Sequence, residues 1–259
     1  MMNNQQNEFK IAEDVSWRFF YANLTFIGIM LLIYLALYLG LIPFLEESIT
    51  VRPDFLRFSY PSTKLYLIIY GIIGAIYYFP MYVQLGATRK KTFKGTTVGL
   101  LVGVISLVIL TVVVSEGTII ISEWFSTEIS WDSSLYYSFV ENDFLDNDTF
   151  LASIGRLSVT MFSFIVNALL NYSIGWMFGS AYYRGGFKKS INFIFIGLVT
   201  MILVDLLWGN DFSTILPRVT VGSNGFIQWL IAIVGSLILT GILLWIIRNL
   251  TKQITIKLN

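Results

Sequence analysis

The sequence contains no cysteine and no histidine. The chain therefore forms no disulfide, and it lacks the thiolate and imidazole groups that build most zinc sites and many nucleophile and base pairs. A membrane hydrolase or transferase normally clusters His, Asp or Glu at one depth, whereas carboxylates are sparse in the apolar runs of this chain. The sequence predicts that the chain is not an enzyme and that it binds no metal or cofactor itself.

Charged residues are also scarce. They make up 13% of the chain, against about one-quarter in soluble domains, while 56% of residues are hydrophobic and the mean hydropathy is +0.72. The net charge of +1 gives no basic field that would attract nucleic acid. A surface that faces lipid explains this composition.

Six apolar runs reach the roughly 20 residues that a helix needs to cross a bilayer. Uninterrupted runs satisfy their backbone hydrogen bonds as helices rather than as alternating barrel strands. The predicted spans are 23–45, 65–85, 96–122, 154–182, 190–208 and 226–248. The expected fold is an all-α, polytopic membrane protein with six transmembrane helices in one domain, 1–259.

Basic residues are distributed unevenly among the loops, and the positive-inside rule converts this distribution into an orientation. Most lie in the amino-terminal segment, the second and fourth loops and the tail, whereas the third loop is acidic. We therefore predict a multi-pass protein of the cell membrane with both termini cytoplasmic. An outer loop, 46–63, and an acidic segment, 123–152, would then be extracellular.

Residues 8–21 mix apolar and charged side chains ahead of the first predicted span. Such a segment is expected to form an amphipathic helix in the membrane interface. The alternative is a plain extension of the first span.

A compact basic turn, LGATRKKTFKG, joins the second and third predicted spans at 85–95. It is either an anchor whose basic side chains snorkel to the membrane surface or a docking segment for a cytosolic partner. The residues assigned to docking are Gly86, Thr88, Arg89, Lys90, Lys91 and Phe93.

Small and polar residues within the spans predict contacts between helices. Glycines recur every four residues in the third and fourth spans, which lets helix backbones approach closely, and we favour packing within the chain over a dimer interface. Two asparagines four residues apart share one helix face, and we favour bonds to neighbouring helices over the lining of a cavity. Helix packing is assigned to Gly95, Gly99, Gly103, Asn167, Asn171, Gly175 and Gly179.

Two carboxylates, Glu116 and Asp205, fall within the apolar runs near their predicted outer ends. Ionisable residues inside a membrane are functional hypotheses by default, so both are candidates for a substrate path. The alternative is that water solvates them at the outer interface.

The turn at 85–95 and the sequence GSAYYRGG at 179–186 resemble motifs of permease subunits in bacterial ABC-2 type transporters, an exporter family of Gram-positive bacteria. Gly185 departs from the pattern, which has an aromatic residue there. The resemblance implies an amino-terminal interface helix, a turn that docks on a cytosolic ABC ATPase, and pairing with a second permease copy or a related permease.

The resemblance also implies that ATP and Mg are held by the partner ATPase, because this chain lacks the GxxxxGK[ST] loop that cradles phosphates. It implies membrane lipid around the chain and the export of an amphipathic peptide, an antimicrobial or a lipid-like substrate. A different class stays open, a non-transporting immunity or sensor protein that binds peptides through its acidic outer segment. Retention of an ATPase during purification would separate these two classes.

Overall fold

The computed structural model describes residues 4–37, 55–124, 150–208 and 225–252. Helices account for nearly all of this part of the chain, and no strand occurs in it. Six helical segments are long and apolar enough to cross a membrane, which confirms the predicted all-α polytopic fold. The spans, first to sixth, are Glu8–Leu35, Phe55–Gln84, Arg89–Ile120, Leu157–Lys188, Ser190–Leu207 and Trp229–Lys252.

The first helix runs without a break over Asn4–Leu35, so residues 8–21 extend the first span. Apolar residues at intervals of four place one stripe of this helix, including Ile11, Val15 and Phe19, against the third span, where all three are buried. Of the two interpretations of 8–21, the extension of the first span therefore describes its backbone. Its position in the membrane interface stays a prediction.

The second span begins earlier than the sequence pattern indicated. It consists of a helix at Phe55–Ile73, a π-helical turn at Gly74–Tyr78 and a helix at Phe79–Gln84. Residues 55–63 were expected in the outer loop but are helical, because Phe55, Leu56 and Tyr60 are buried in the core. The rest of that predicted loop, 46–54, lies outside the described residues.

Two glycines with positive φ mark the chain reversals between the second and third spans and between the fourth and fifth. Gly86 has φ 89°, and Gly186, with φ 67° and ψ −176°, interrupts the helix Phe150–Leu207 that carries the fourth and fifth spans. Only a residue without a Cβ adopts such angles readily. The chain can therefore turn back sharply at both points.

The remaining two helices are Arg89–Trp124 and Gly225–Lys252, which carry the third and sixth spans. Because helix begins at Arg89, the predicted turn at 85–95 was too long, and only residues 85–88 lie outside helix. The first span packs mainly on the third, the second on the fourth, and the last helix on Phe150–Leu207.

Both ends of the described chain lie beside the turn 85–88. Glu8 Oε2 is 3.9 Å from Lys94 Nζ, and Arg89 Nη1 donates a hydrogen bond of 2.9 Å to the carbonyl oxygen of Lys252. We call this end of the bundle, which also carries Lys90, the basic end. Nearly all of the acidic segment 123–152 lies outside the described residues.

We expect the basic end to face the cytoplasm, because translocation of clustered Lys and Arg is unfavourable. The absence of cysteine allows a direct measurement with single-cysteine variants. A membrane-impermeant maleimide should label Trp131→Cys in intact cells and should label Lys90→Cys only after permeabilisation. The reverse pattern would contradict this orientation.

Candidate functional site

The turn 85–88 is closed by its own backbone. The N–H groups of Leu85, Gly86 and Ala87 donate to the carbonyl oxygens of Met81, Val83 and Tyr82 at 3.0–3.1 Å. The hydroxyl of Thr88 accepts a hydrogen bond from the N–H of Lys91 at 3.4 Å and so caps the next helix. This geometry defines a short, rigid connection.

The amino-terminal extension supports one side of the turn. Ile11 and Val15 form a buried cluster with Tyr82, and Ala87 of the turn packs against it. The hydroxyl of Tyr82 also donates to Asp14 Oδ2, which accepts a 2.9 Å hydrogen bond from Arg18 Nε. Movement of the turn would therefore be passed directly to the first span.

The predicted docking residues do not share one environment. Gly86, Thr88 and Lys90 are exposed and Lys91 is half-buried. Phe93, in contrast, stacks on the buried ring of Trp176 with centroids 5.4 Å apart. The ring of Phe93 therefore packs inside the bundle, whereas it was expected to contact a partner ATPase.

Two further residues change the composition of the candidate docking surface. The Arg89 guanidinium donates an exposed hydrogen bond to the last helix, so it already has a partner within the chain. Leu85, which sequence reasoning did not assign, is 77% exposed at the tip of the turn. The candidate site therefore consists of Leu85, Gly86, Thr88 and Lys90.

The glycine stripes lie at contacts within the chain. A Cβ added at Gly95 or Gly99 would come within 2.9 Å of side chains of the first span, and one added at Gly103 would collide with Phe19. Gly175 and Gly179 contact the backbone of the second span in the same way. Sequence reasoning missed Gly71, which contacts the fourth span at the same crossing. A Cβ added at Gly71 would lie 2.8 Å from the backbone nitrogen of Trp176.

The asparagine pair differs from the expectation of bonds between helices. Asn167 and Asn171 are buried, but their amide groups donate to the carbonyl oxygens of Ser163 and Asn167 in their own helix, at 3.1 and 2.8 Å. The carbonyl oxygen four residues earlier lies within reach of such a side chain, so each amide nitrogen has an acceptor in its own helix.

A different asparagine joins three spans. Asn23 is fully buried, and its amide nitrogen donates to the Gly103 carbonyl oxygen at 2.9 Å and to Ser106 Oγ at 3.1 Å. Its oxygen accepts a 2.9 Å hydrogen bond from the hydroxyl of Tyr66. In the sequence, Asn23 continues the four-residue spacing of Ile11, Val15 and Phe19. This spacing was the signal that could have placed Asn23 on the face that contacts the third span.

The two candidate substrate-path carboxylates are in different surroundings. Asp205 Oδ1 lies 3.6 Å from Lys64 Nζ, which links the fifth span to the second, and Lys64 Nζ is also 4.8 Å from the centre of the Tyr60 ring. Glu116 is exposed, and no ion pair within the described ranges includes it. Asp205 therefore has a partner in the second span, whereas Glu116 is exposed.

Replacing Asp205 with asparagine is expected to lower the free energy of unfolding by about 1 kcal/mol, since a partly exposed ion pair contributes little. The double variant Asp205→Asn, Lys64→Gln should lose little more, because both changes remove one interaction. Unfolding in detergent followed by tryptophan fluorescence measures both effects, with Glu116→Gln as control. A loss of transport at unchanged stability would instead support the substrate path.

The six spans define a multi-pass α-helical membrane protein. Its helices cross closely at glycines, and the buried Asn23 joins three of the spans. Comparison of the chain with protein-family models, curated proteins and solved structures gives no match.

Proposed function

We propose that the chain is the membrane-spanning permease subunit of an ATP-binding-cassette exporter. A separate cytosolic ATPase would hold ATP and Mg and hydrolyse the nucleotide. Two permease chains, identical or related, would form the path by which an amphipathic peptide, an antimicrobial or a lipid-like substrate moves outward. The resemblance of the basic turn to the ABC-2 permease motif motivates this assignment.

The observation that carries the proposal is the construction of the turn 85–88. Its tip presents one large apolar side chain, Leu85, and one exposed cation, Lys90, while its flanks are fixed to the first span and to the last helix. An apolar anchor with a charged rim is typical of a protein interface. A rigid connection is also what converts the movement of an ATPase into movement of helices.

The force would follow two routes from the turn. One passes through the Tyr82 to Asp14 hydrogen bond and the Ile11 and Val15 cluster to the first span. The other passes along the helix that begins at Arg89 to the Gly95, Gly99 and Gly103 contact with that same first span. The first and third spans would therefore respond to the ATPase as one pair.

The double variant Leu85→Asp, Lys90→Glu tests the docking. Burial of a leucine contributes about 1.5–3 kcal/mol, so affinity for the ATPase should fall about 10- to 100-fold, and ATP hydrolysis should no longer drive transport. Affinity purification of the tagged chain in mild detergent, with assay of the retained ATP hydrolysis, measures the loss.

The exposed Lys188, at the end of the fourth span, provides a matched control through Lys188→Glu. Arg89→Lys is a second control, because the guanidinium bonds within the chain and its loss should reduce stability before it reduces ATPase retention. Normal ATPase retention by correctly inserted Leu85→Asp, Lys90→Glu protein would contradict the proposal.

A further inference from the structure

A cavity of about 540 Å³ opens between the amino-terminal extension and the start of the third span, at the basic end. The buried residues Ala12 and Gly95 line it where the two helices meet. Phe9 and Val98 form its apolar wall and are 72% and 54% exposed, so the cavity is open along the flank of the bundle. Its volume is within the range of about 300–1,000 Å³ found for ligand sites.

The cavity has a charged end and an apolar end. Lys94 and Glu8 both line it, with Nζ and Oε2 3.9 Å apart, and their side chains are 56% and 35% exposed. At this distance and exposure the ion pair is weak. Each group can therefore exchange its partner for a ligand of opposite charge.

The position of the cavity favours a lipid as the occupant. Glu8 and Arg89 are the terminal residues of two helical segments that are long and apolar enough to cross a membrane, so we expect the charged end to lie near the level of the phospholipid headgroups. The exposed Phe9 and Val98 would face acyl chains.

We infer that this cavity binds a zwitterionic phospholipid, with the headgroup phosphate on Lys94 and the headgroup ammonium on Glu8. The two opposite charges of the cavity match the two charges of such a headgroup. An anionic lipid matches Lys94 alone and is repelled by the neighbouring carboxylate. The inference does not depend on the proposed transport function.

Headgroup selectivity tests this assignment. The full chain is reconstituted in vesicles of equal parts phosphatidylethanolamine and phosphatidylglycerol, and lipids retained after gentle extraction are quantified by native mass spectrometry. Phosphatidylethanolamine should be enriched on the wild-type chain. Lys94→Gln should reduce that enrichment by up to about fivefold, because a partly exposed charge pair contributes at most ~1 kcal/mol.

The substitution Glu8→Gln gives the sharper result, because it leaves Lys94 without its carboxylate and should reverse the preference toward phosphatidylglycerol. Lys90→Gln and Glu13→Gln make the same charge changes at exposed positions outside the cavity lining and should leave the preference unchanged. Val98→Trp, which fills the cavity without changing charge, should abolish enrichment.

Three results would overturn the assignment. They are a wild-type preference for phosphatidylglycerol, equal retention of both lipids, and an ethanolamine preference that persists in Glu8→Gln and in Val98→Trp. A failure of the ATPase-docking experiment would not change the expected preference for phosphatidylethanolamine, because the two experiments measure different binding events.

Discussion

Replacing Gly175 with alanine is expected to lower the free energy of unfolding by about 3 kcal/mol, at the upper end of the range for overpacking. A Cβ at this position would lie 2.8 Å from the Cα of Ile68 and closer to the carbonyl of that residue. Because the obstacle is backbone and not the end of a flexible side chain, the second and fourth spans must move apart. Separation would also disturb the reciprocal contact of Gly71 with Trp176.

The loss should appear as a lower midpoint of thermal unfolding in detergent and as a smaller monodisperse fraction in size-exclusion chromatography. Gly28 and Gly241 provide matched controls, since a Cβ at either meets nothing within 4 Å. Alanine there should be neutral or should stabilise the helix by up to about 1 kcal/mol, because glycine is a poor helix former. Equal stability of Gly175→Ala and Gly28→Ala would show that the close crossing is not required.

Replacing Asn23 with leucine is expected to destabilise the fold by about 2 kcal/mol, from three side-chain hydrogen bonds at ~0.6 kcal/mol each inside a membrane. The change leaves the hydroxyl of Tyr66 and the carbonyl oxygen of Gly103 without this partner, and lipid offers no substitute. The first, second and third spans would lose their common polar junction.

Two substitutions separate the junction from the size of the side chain. Tyr66→Phe removes one bond and should cost about 0.6 kcal/mol, while Tyr66→Phe combined with Asn23→Leu should cost less than the sum. Asn167→Leu, whose amide bonds within its own helix, should cost less than Asn23→Leu. If the two asparagine variants unfold equally, the assignment of Asn23 as the junction between spans is wrong.

The backbone of the candidate docking site was partly predictable. The basic sequence after the second span and Gly86 in a tight connection both follow from local chemistry, and the structure places the turn there. The contacts of individual side chains could not be predicted from the sequence. Arg89 is equally basic, and Phe93 equally aromatic, whether the side chain contacts a partner or the bundle. Only the tertiary contacts with Lys252 and Trp176 distinguish these cases.

Hydropathy by itself determined the six spans, because each needs only enough consecutive apolar residues to satisfy its backbone in lipid, a local property. Only the tertiary structure decided which spans are neighbours and which polar residue joins them. Asn23, Asn167 and Asn171 are chemically identical, but among the bonds of the described residues only Asn23 reaches a carbonyl and two hydroxyl groups on other helices. The difference arises because lipid solvates every apolar face alike, so pairing depends on the fit of particular surfaces that lie far apart in the chain.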